Sequence, residues 1–278
     1  MAGMRDSARR IVSTLGLAPL WLRYRDWRRA QDAETVPSQD EEGIPLPPAR
    51  LMSRVIANAD WRYFLDSGRQ SLEVFKGAAD RNGVDFSTAR RVLDLGCGCG
   101  RLARHLPKFT KAEIFGVDYD RELANWCARH LRGDFRRNAL NPPLEFPNAF
   151  FDVVYLYSVF THQRLATQNA WLAELDRVIA PGGIALVTIH DEDHPALAGA
   201  GLTREEVLRR GFVVHNDAAE GSNFMATFQS REVFRTQAAP FFEVAELVPG
   251  DKSGVEQTLA VLRKRQESPT GNRQPATG

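Results

Sequence analysis

Residues 92–101 constrain the fold of this chain more than any other segment. Their sequence, VLDLGCGCGR, is a short apolar run that contains Asp94 and is followed by glycines at positions 96, 98 and 100. The apolar run is typical of a buried strand, and the glycines allow positive φ angles and a close approach of a ligand to the main chain. Residues 102–106 have helical spacing, so we expect the loop to open onto a helix N-terminus. This combination predicts a nucleotide-binding loop.

The kind of nucleotide stays open on these residues alone. The segment GCGRLA at residues 98–103 fits the G-x-G-x-x-A variant of the dinucleotide fingerprint, which would indicate an oxidoreductase that binds NAD(P) or a nucleotide sugar. A second apolar run, residues 112–117, ends before Asp118, eighteen residues beyond Gly100. A carboxylate at this place can accept hydrogen bonds from both ribose hydroxyls. Asp118 therefore predicts a nucleoside ligand without choosing between the two classes.

Later segments resemble the class I S-adenosylmethionine-dependent methyltransferases. The spacing Asp94-x-Gly96-x-Gly98-x-Gly100 resembles the first motif of that family. Residues 142–147 (PPLEFP) and 150–162 (FFDVVYLYSVFTH) resemble the segment around its fourth strand, and residues 171–183 resemble the approach to its fifth. The resemblance covers about residues 45 to 263 and is greatest to a bacterial branch that acts on small molecules or glycans. The chain departs from that branch at Glu145 and Asn138, where proline and aspartate are usual.

This resemblance implies a fold, a cofactor and a set of binding residues. The implied fold is a doubly wound, mostly parallel α/β sheet of about seven strands with helices on both faces, which is Rossmann-like. The implied cofactor is S-adenosyl-L-methionine, whose ammonium and sulfonium groups suit an acid beside the loop. Asn138 would lie near the adenine, Asp118 at the ribose and Arg101 at the carboxylate. The residues implied to bind the cofactor are Asp94, Gly96, Gly98, Gly100, Arg101, Asp118, Tyr119, Asn138, Ala139 and Ser158.

The implied reaction is methyl transfer to a small-molecule or glycan acceptor through a hydroxyl, with the oxidoreductase as the alternative. His162, at the end of the predicted fourth strand, is the candidate general base, and a capping or core histidine is an equally weighted interpretation. Residues 190–194 (HDEDH) form a group of acids and histidines that we expect to be a solvated loop. We therefore predict no metal site.

The sequence also predicts a division of the chain into segments. Residues 1–30 form a basic helical segment, in which seven arginines of residues 5–29 face two aspartates, and residues 31–48 an acidic, proline-rich linker. The methyltransferase domain would occupy residues 49–263, with residues 191–240 as an acceptor-binding insertion and residues 264–278 as a disordered tail. A helix at residues 61–79 is expected to be interrupted at Ser67 and Gly68. If the linker is open, deletion of residues 1–42 should leave a folded domain.

Composition limits the remaining function classes. A chain of 278 residues with 43% apolar residues suits one large domain, and a net charge of +1 gives no general attraction to nucleic acid. Three cysteines form no disulfide framework, and no apolar run approaches the ~18 residues of a membrane span. We therefore expect a soluble, cytoplasmic protein. The basic segment is expected to pack on the domain or a partner, with contact at the inner membrane face as the alternative.

Overall fold

The computed structural model describes residues 18–31 and 35–265, and its centre is a seven-stranded sheet. The strands of the chain are β1 (Arg91–Leu95), β2 (Glu113–Asp118), β3 (Asp134–Arg137), β4 (Phe151–Leu156), β5 (Ile179–Ile189), β6 (Phe212–His215), β7 (Ala226–Gln229), β8 (Phe242–Val248) and β9 (Thr258–Lys264). The sheet has the order β3-β2-β1-β4-β5-β9-β8, and only β9 runs antiparallel to its neighbours. Strands β6 and β7 form a separate antiparallel pair. The predicted doubly wound fold is confirmed.

Helices cover both faces of the sheet. They are α1 (Ala18–Gln31), α2 (Ala49–Ile56), α3 (Trp61–Arg81), α4 (Arg121–His130), α5 (Leu165–Val178), α6 (Ala196–Ala200), α7 (Arg204–Arg210), α8 (Arg231–Ala238) and α9 (Gly250–Ser253). Alternate residues of β4 supply the two cores: Val153 packs in the core with α3 and α4, and Val154 in the core with α5 and α8. This alternation is the two-residue period of a strand that is buried on both faces.

Three local predictions differ from the structure. Helix α3 is continuous, because Gly68 lets its backbone pass close to the loop: a Cβ there would lie 2.1 Å from the main-chain oxygen of Arg101. The segment after the glycine loop is a 3₁₀ helix, Ala103–Lys108, and contains Pro107, so the predicted helix N-terminus at this loop is wrong. Strand β5 begins at Ile179, inside residues 171–183, which were expected to precede this strand.

The described part of the predicted linker, residues 35–48, folds onto the domain. The Arg104 guanidinium, which is fully buried, lies 2.9 Å from the Asp40 carboxylate and also donates to the main-chain oxygens of Ile44 and Pro45. Leu46 packs in a core with α2 and α3. An isolated cation at this depth would be costly, so Asp40 fixes the segment in place. Residues 1–17, 32–34 and 266–278, with most of the predicted disordered tail, lie outside the described residues.

Helix α1 packs against the rest of the protein through its described side chains. Asp26 is buried and lies 3.4 Å from Arg54 of α2, and the Trp21 ring meets the Phe224 ring edge to face at 5.4 Å. On its outer side, Tyr24 and Trp27 are more than half exposed. Among the helices of the described ranges, none has the length and apolar character needed to cross a bilayer.

Candidate functional site

A cavity of about 520 Å³ lies at the carboxyl ends of β1, β2 and β4. This is the edge of an open α/β sheet at which ligands bind. Its lining includes His162 and every residue predicted to bind the cofactor except Gly100; these are Asp94, Gly96, Gly98, Arg101, Asp118, Tyr119, Asn138, Ala139 and Ser158. We call this cavity the donor pocket.

The glycine loop is attached to the end of β2. The amides of Gly96 and Cys97 both donate to the main-chain oxygen of Val117, and the Gly98 amide donates to Asp118 Oδ2 at 2.8 Å. The φ angles of Gly96 and Gly98 are +81° and +54°, as predicted for this loop. A Cβ at Gly96 would lie 2.3 Å from a methyl of Val159. The loop therefore needs glycine there both for its conformation and for space.

Two buried carboxyl groups, Asp94 and Asp118, lie in the donor pocket. Burial raises the pKa of Asp94 to about 7 and that of Asp118 to about 6. Asp118 keeps a lower pKa because its carboxylate accepts the amides of Gly98 and Asp120, each at 2.8 Å. Each of its oxygens still has a second lone pair. The pocket thus presents acceptor groups that would be stabilised by a cationic or hydroxyl-bearing ligand.

Arg101 supplies a buried positive charge to the same pocket. Its guanidinium donates to the Ser67 hydroxyl at 3.2 Å and stacks over the Tyr157 ring at 4.2 Å. Within the described residues, Arg101 forms no ion pair within 4 Å, although the residue is only 6% exposed, and its charge acts on Asp94 at longer range. A buried guanidinium without an acid is suited to an anionic ligand group.

Asn138 carries a buried acceptor without a partner. Its amide nitrogen donates to the main-chain oxygen of Ala139 at 2.7 Å, and its backbone amide donates to the main-chain oxygen of Asp118. Its Oδ1 atom is buried and has no hydrogen-bond partner among the described residues. Because an unsatisfied buried acceptor costs free energy, Oδ1 favours a ligand that donates a hydrogen bond there.

Ser158 lies at the end of β4 in a left-handed conformation, with φ of +59°. Its amide donates to Thr188 Oγ1 at 2.7 Å, while its hydroxyl contacts Thr161 Oγ1 and accepts from the Gln257 amide at 3.0 Å. Such strain in a non-glycine residue persists when several contacts hold it, and it is common at functional sites. Thr188 of β5 and Gln257, which directly precedes β9, thereby hold Ser158 in place at the pocket.

His162 follows on a short 3₁₀ turn after β4. Its Nδ1 atom lies 2.6 Å from the main-chain oxygen of Met225, and burial lowers its pKa. The carbonyl can only accept, so Nδ1 carries the proton and Nε2 is left with its lone pair. The imidazole is thus neutral and can take up a proton, and it lines the donor pocket.

Gly100 was predicted to contact the cofactor, but it does not line the cavity. A Cβ at this position would lie 2.2 Å from Leu131 and 3.3 Å from Cys127 Sγ. Its backbone has φ of +82°. Gly100 therefore allows the loop to pack against the end of α4, and its contact with the cofactor is not supported by this geometry.

Sequence patterns did not identify the opposite wall of the pocket. That wall is formed by Arg25 and Asp26 of α1, Arg54 of α2, and residues 221–223 of the insertion. Arg25 donates to Asn223 Oδ1 at 2.6 Å, and Asn223 donates to the main-chain oxygen of Arg54 at 3.1 Å. This wall of the pocket therefore joins three segments that are distant in the chain.

The acids and histidines of residues 190–194 are not a solvated loop. His190 and Asp191 are buried, and Arg231 pairs with Asp191, Glu192 and Asp193 at 2.7 to 3.3 Å. Asp191 also accepts from Thr258 at 2.6 Å. The segment is an ion-pair network that joins the start of the insertion to α8, near its end, and to β9. In the described ranges, no three side chains of the metal-binding types converge on a common point.

Comparison with known proteins finds a methyltransferase family that matches part of this chain. Residues 92–183 match the family described as "Methyltransferase domain". Sterol 24-C-methyltransferase of Yarrowia lipolytica is 29% identical over 203 residues, covering 62% of this chain and 51% of that protein. The Aspergillus fumigatus enzyme of the same name is 31% identical over 123 residues, covering 38% and 30%. The chain thus spans about a third to a half of the length of these curated relatives.

Solved structures share the fold. One is the 1,6-didemethyltoxoflavin-N1-methyltransferase of Burkholderia thailandensis with 1,6-didemethyltoxoflavin and S-adenosylhomocysteine bound, with a TM-score of 0.53 and 17% identity, covering 77% of this chain and 85% of that one. Another is an S-adenosylmethionine-dependent methyltransferase of Mesorhizobium loti, with a TM-score of 0.53 and 14% identity, covering 69% and 98%. At these identities the likeness establishes the class I methyltransferase fold.

Proposed function

We propose that this chain, whose residues 92–183 form a methyltransferase domain, binds S-adenosylmethionine in the donor pocket and transfers its methyl group to an acceptor hydroxyl. The observation that carries the proposal is the convergence of the predicted cofactor residues on one cavity of about 520 Å³ within the matched domain. The bound cofactor would supply an electrophilic methyl group on a sulfonium.

The chemistry of the pocket fits this cofactor. Asp118 would accept hydrogen bonds from the ribose hydroxyls, and Asn138 Oδ1, which has no partner in the described residues, would accept from the adenine amino group. Asp94 would stabilise the positive charge of the methionine part, and Arg101 would pair with its carboxylate. Tyr119, Ala139 and Ser158 would supply the remaining walls. The donor set thus matches each polar group of the ligand with an opposite one.

His162 is proposed as the general base. Its neutral imidazole, with Nδ1 held by the Met225 carbonyl, would take the acceptor's proton at Nε2 while the methyl group is transferred. The burial that lowers its pKa keeps it unprotonated at neutral pH. The rest of catalysis would come from holding the acceptor close to the methyl group.

A dinucleotide oxidoreductase fits the same loop less well. In that class a pyrophosphate is bound at the N-terminus of an α-helix that follows the glycines. Here the glycines lead into a six-residue 3₁₀ helix, and Gly100 faces Leu131 instead of the cavity. The family match over residues 92–183 also favours methyl transfer.

The acceptor is proposed to be a small molecule or glycan. The named sterol methyltransferases match 38% and 62% of this chain and only 30% and 51% of their own length, so their acceptor is not carried over. Residues 191–240 are proposed as the acceptor-binding part because residues 221–223 line the donor pocket.

A cytoplasmic location is proposed because Cys97, Cys99 and Cys127 are buried free thiols. Contact of α1 with a membrane surface stays an alternative, supported by exposed Tyr24 and Trp27.

The proposal is tested by calorimetric titration with S-adenosylhomocysteine. Asp118→Ala should weaken binding by about 1–3 kcal/mol, the scale of a lost hydrogen bond to a charged group. Asp134→Ala is the matched control, because Asp134 is also an acid at β3 but lies outside the pocket and pairs with Arg136. Equal affinity of the two variants, both with wild-type melting, would remove Asp118 from the site.

A further inference from the structure

A second cavity, of about 260 Å³, lies beside the donor pocket. Its walls come from α6, from the β6–β7 pair and from residues 223–224, which all belong to the insertion, and from Arg25 of α1. Nothing in the methyl-donor chemistry uses this space.

The two cavities share the Arg25–Asn223 pair. Both residues line both cavities, and their side chains are hydrogen-bonded at 2.6 Å. Asn223 is itself held by the main-chain oxygen of Arg54. A contact between two side chains therefore lies where the cavities meet.

The proposed base, His162, lies close to the place where the two cavities meet. His162 lines the donor pocket and is bonded to the carbonyl of Met225, while the residues on either side of Met225, Phe224 and Ala226, line the second cavity. A molecule seated in the second cavity would thus approach the donor pocket next to the imidazole.

The lining indicates the chemistry of the occupant. The lining is about half apolar, from Phe224, Phe228 and small residues of α6, and Arg25 is its one cation of fixed charge; no carboxylate is among the described lining residues. Asn216 and Asn223 add amide groups. Arg25 bonds Asp26 through Nε and Nη2, whereas its Nη1 atom has no hydrogen-bond partner among the described residues, so an anion there would add a charge-assisted hydrogen bond.

The geometry points to the second cavity as the acceptor subsite, which takes a small apolar or aromatic acceptor that carries a carboxylate or phosphate recognised by Arg25. This inference rests on the proposed function. The cavity volume limits the part of the acceptor that it encloses to a small group, since sites for drug-sized ligands begin near ~300 Å³.

Benzoate, phenyl phosphate and neutral benzamide are the probes, titrated calorimetrically into the full chain saturated with S-adenosylhomocysteine. We expect the two anions to bind at least about tenfold more tightly than benzamide, the ratio for one charge-assisted hydrogen bond. Arg25→Leu should remove this preference. Gly199→Leu should abolish probe binding, because Gly199 lines the cavity and a Cβ there meets no atom within 4 Å, so the larger side chain can be accommodated at the cavity wall.

Ala198→Leu is the control, since Ala198 is an exposed neighbour on the same helix and does not line the cavity. S-adenosylhomocysteine affinity should be unchanged in Gly199→Leu and Ala198→Leu, which shows that both remain folded. If neither anion binds saturably at millimolar concentration, if benzamide binds equally well, or if Gly199→Leu binds like Ala198→Leu, the subsite is rejected. If the wild-type chain does not bind S-adenosylhomocysteine at all, the proposed function is rejected instead.

Discussion

The Nδ1 atom of His162 lies 2.6 Å from the main-chain oxygen of Met225, so the tautomer of this imidazole is set by a residue of the insertion. Because burial lowers the pKa of His162, the neutral imidazole keeps its lone pair on Nε2, and the residue lines a pocket that also contains Asp94 and Asp118. A strand end of the central sheet and residues of the segment 191–240 thus jointly position the proposed base.

Replacement of His162 should separate catalysis from cofactor binding. In His162→Gln, S-adenosylhomocysteine affinity should stay near wild type while turnover falls by roughly 10²–10⁴, the range for loss of a general base. Turnover is measured as S-adenosylhomocysteine formed with an acceptor found by screening. His130→Gln, outside the pocket, is the control. Joint loss of affinity and turnover would assign His162 to the cofactor site or to folding.

The pH dependence of turnover follows from the lowered pKa of His162. Only the neutral imidazole accepts a proton, so the rate should rise through one ionisation below the ordinary histidine value of 6.5 and be level at neutral pH. His162→Gln should lack this ionisation. A wild-type rate that still rises with pH above 7.5 would indicate another base.

The contribution of Asp94 to the stability of the free protein should fall as pH rises from about 4 to 7. Burial raises the pKa of Asp94 from 3.8 to about 7, so its folded form holds a proton that the unfolded form has released, and this contribution is lost as pH rises in this window. Asp118 acts in the same direction up to about pH 6. Between pH 4.5 and 8 the melting temperature of Asp94→Asn should therefore rise relative to the wild type as pH increases, while that of Asp134→Asn should keep a constant offset. Parallel curves for all three proteins would contradict this.

Asp40 should contribute strongly to stability. Its removal leaves Arg104 buried without a counter-charge, a change that typically costs about 3–5 kcal/mol. The control is Glu42→Ala, because Glu42 forms an exposed pair with Lys108 that is worth less than about 1 kcal/mol. Urea unfolding compares the two variants. Deletion of residues 1–42 also removes Asp40, so we expect it to abolish the cooperative melt, in contrast to the prediction from composition. Equal stability of Asp40→Ala and Glu42→Ala would show that the segment is an open linker.

Gly68 and Gly77 of helix α3 should respond in opposite ways to alanine. At Gly68 the new Cβ would lie 2.1 Å from the Arg101 main-chain oxygen, so the helix and loop must separate and stability should fall. At Gly77 the nearest atom is an Arg81 nitrogen at 3.7 Å, so better helix propensity should stabilise by roughly 0.5–1 kcal/mol. Chemical unfolding measures both, and a neutral Gly68→Ala would contradict the close approach.

Local patterns were sufficient for the sheet and for one wall of the pocket. Apolar runs identify buried strands, and acids and glycines at strand ends place Asp94, Gly96, Gly98 and Asp118 together once the strands are parallel. The other wall was not predictable, because the Arg25–Asn223 contact joins residues 198 positions apart. Composition likewise suggested a linker at residues 31–48. The ion pair that orders this segment was not predictable, because the partner of Asp40 is an arginine 64 positions away.

The prediction of an interruption at Gly68 was wrong for a similar reason, because the contact that requires the glycine is distant in the sequence. A glycine in a helical pattern usually indicates a break, but here it allows the close approach of the loop at Arg101. Gly100 was assigned to the ligand because it belongs to the motif, whereas its neighbours are Leu131 and Cys127. Motif spacing does not distinguish a glycine that approaches a ligand from one that approaches a side chain.

Titration of the wild-type chain with S-adenosylhomocysteine and, separately, with NADP tests the central claim most directly. The donor pocket has Asp118 for the ribose hydroxyls, Asp94 for the ammonium group and Arg101 for a carboxylate, and the glycine loop does not lead into an α-helix that would bind a pyrophosphate. We predict saturable one-to-one binding of S-adenosylhomocysteine and no binding of NADP by calorimetry. Binding of NADP without binding of S-adenosylhomocysteine would contradict the methyltransferase assignment of the pocket.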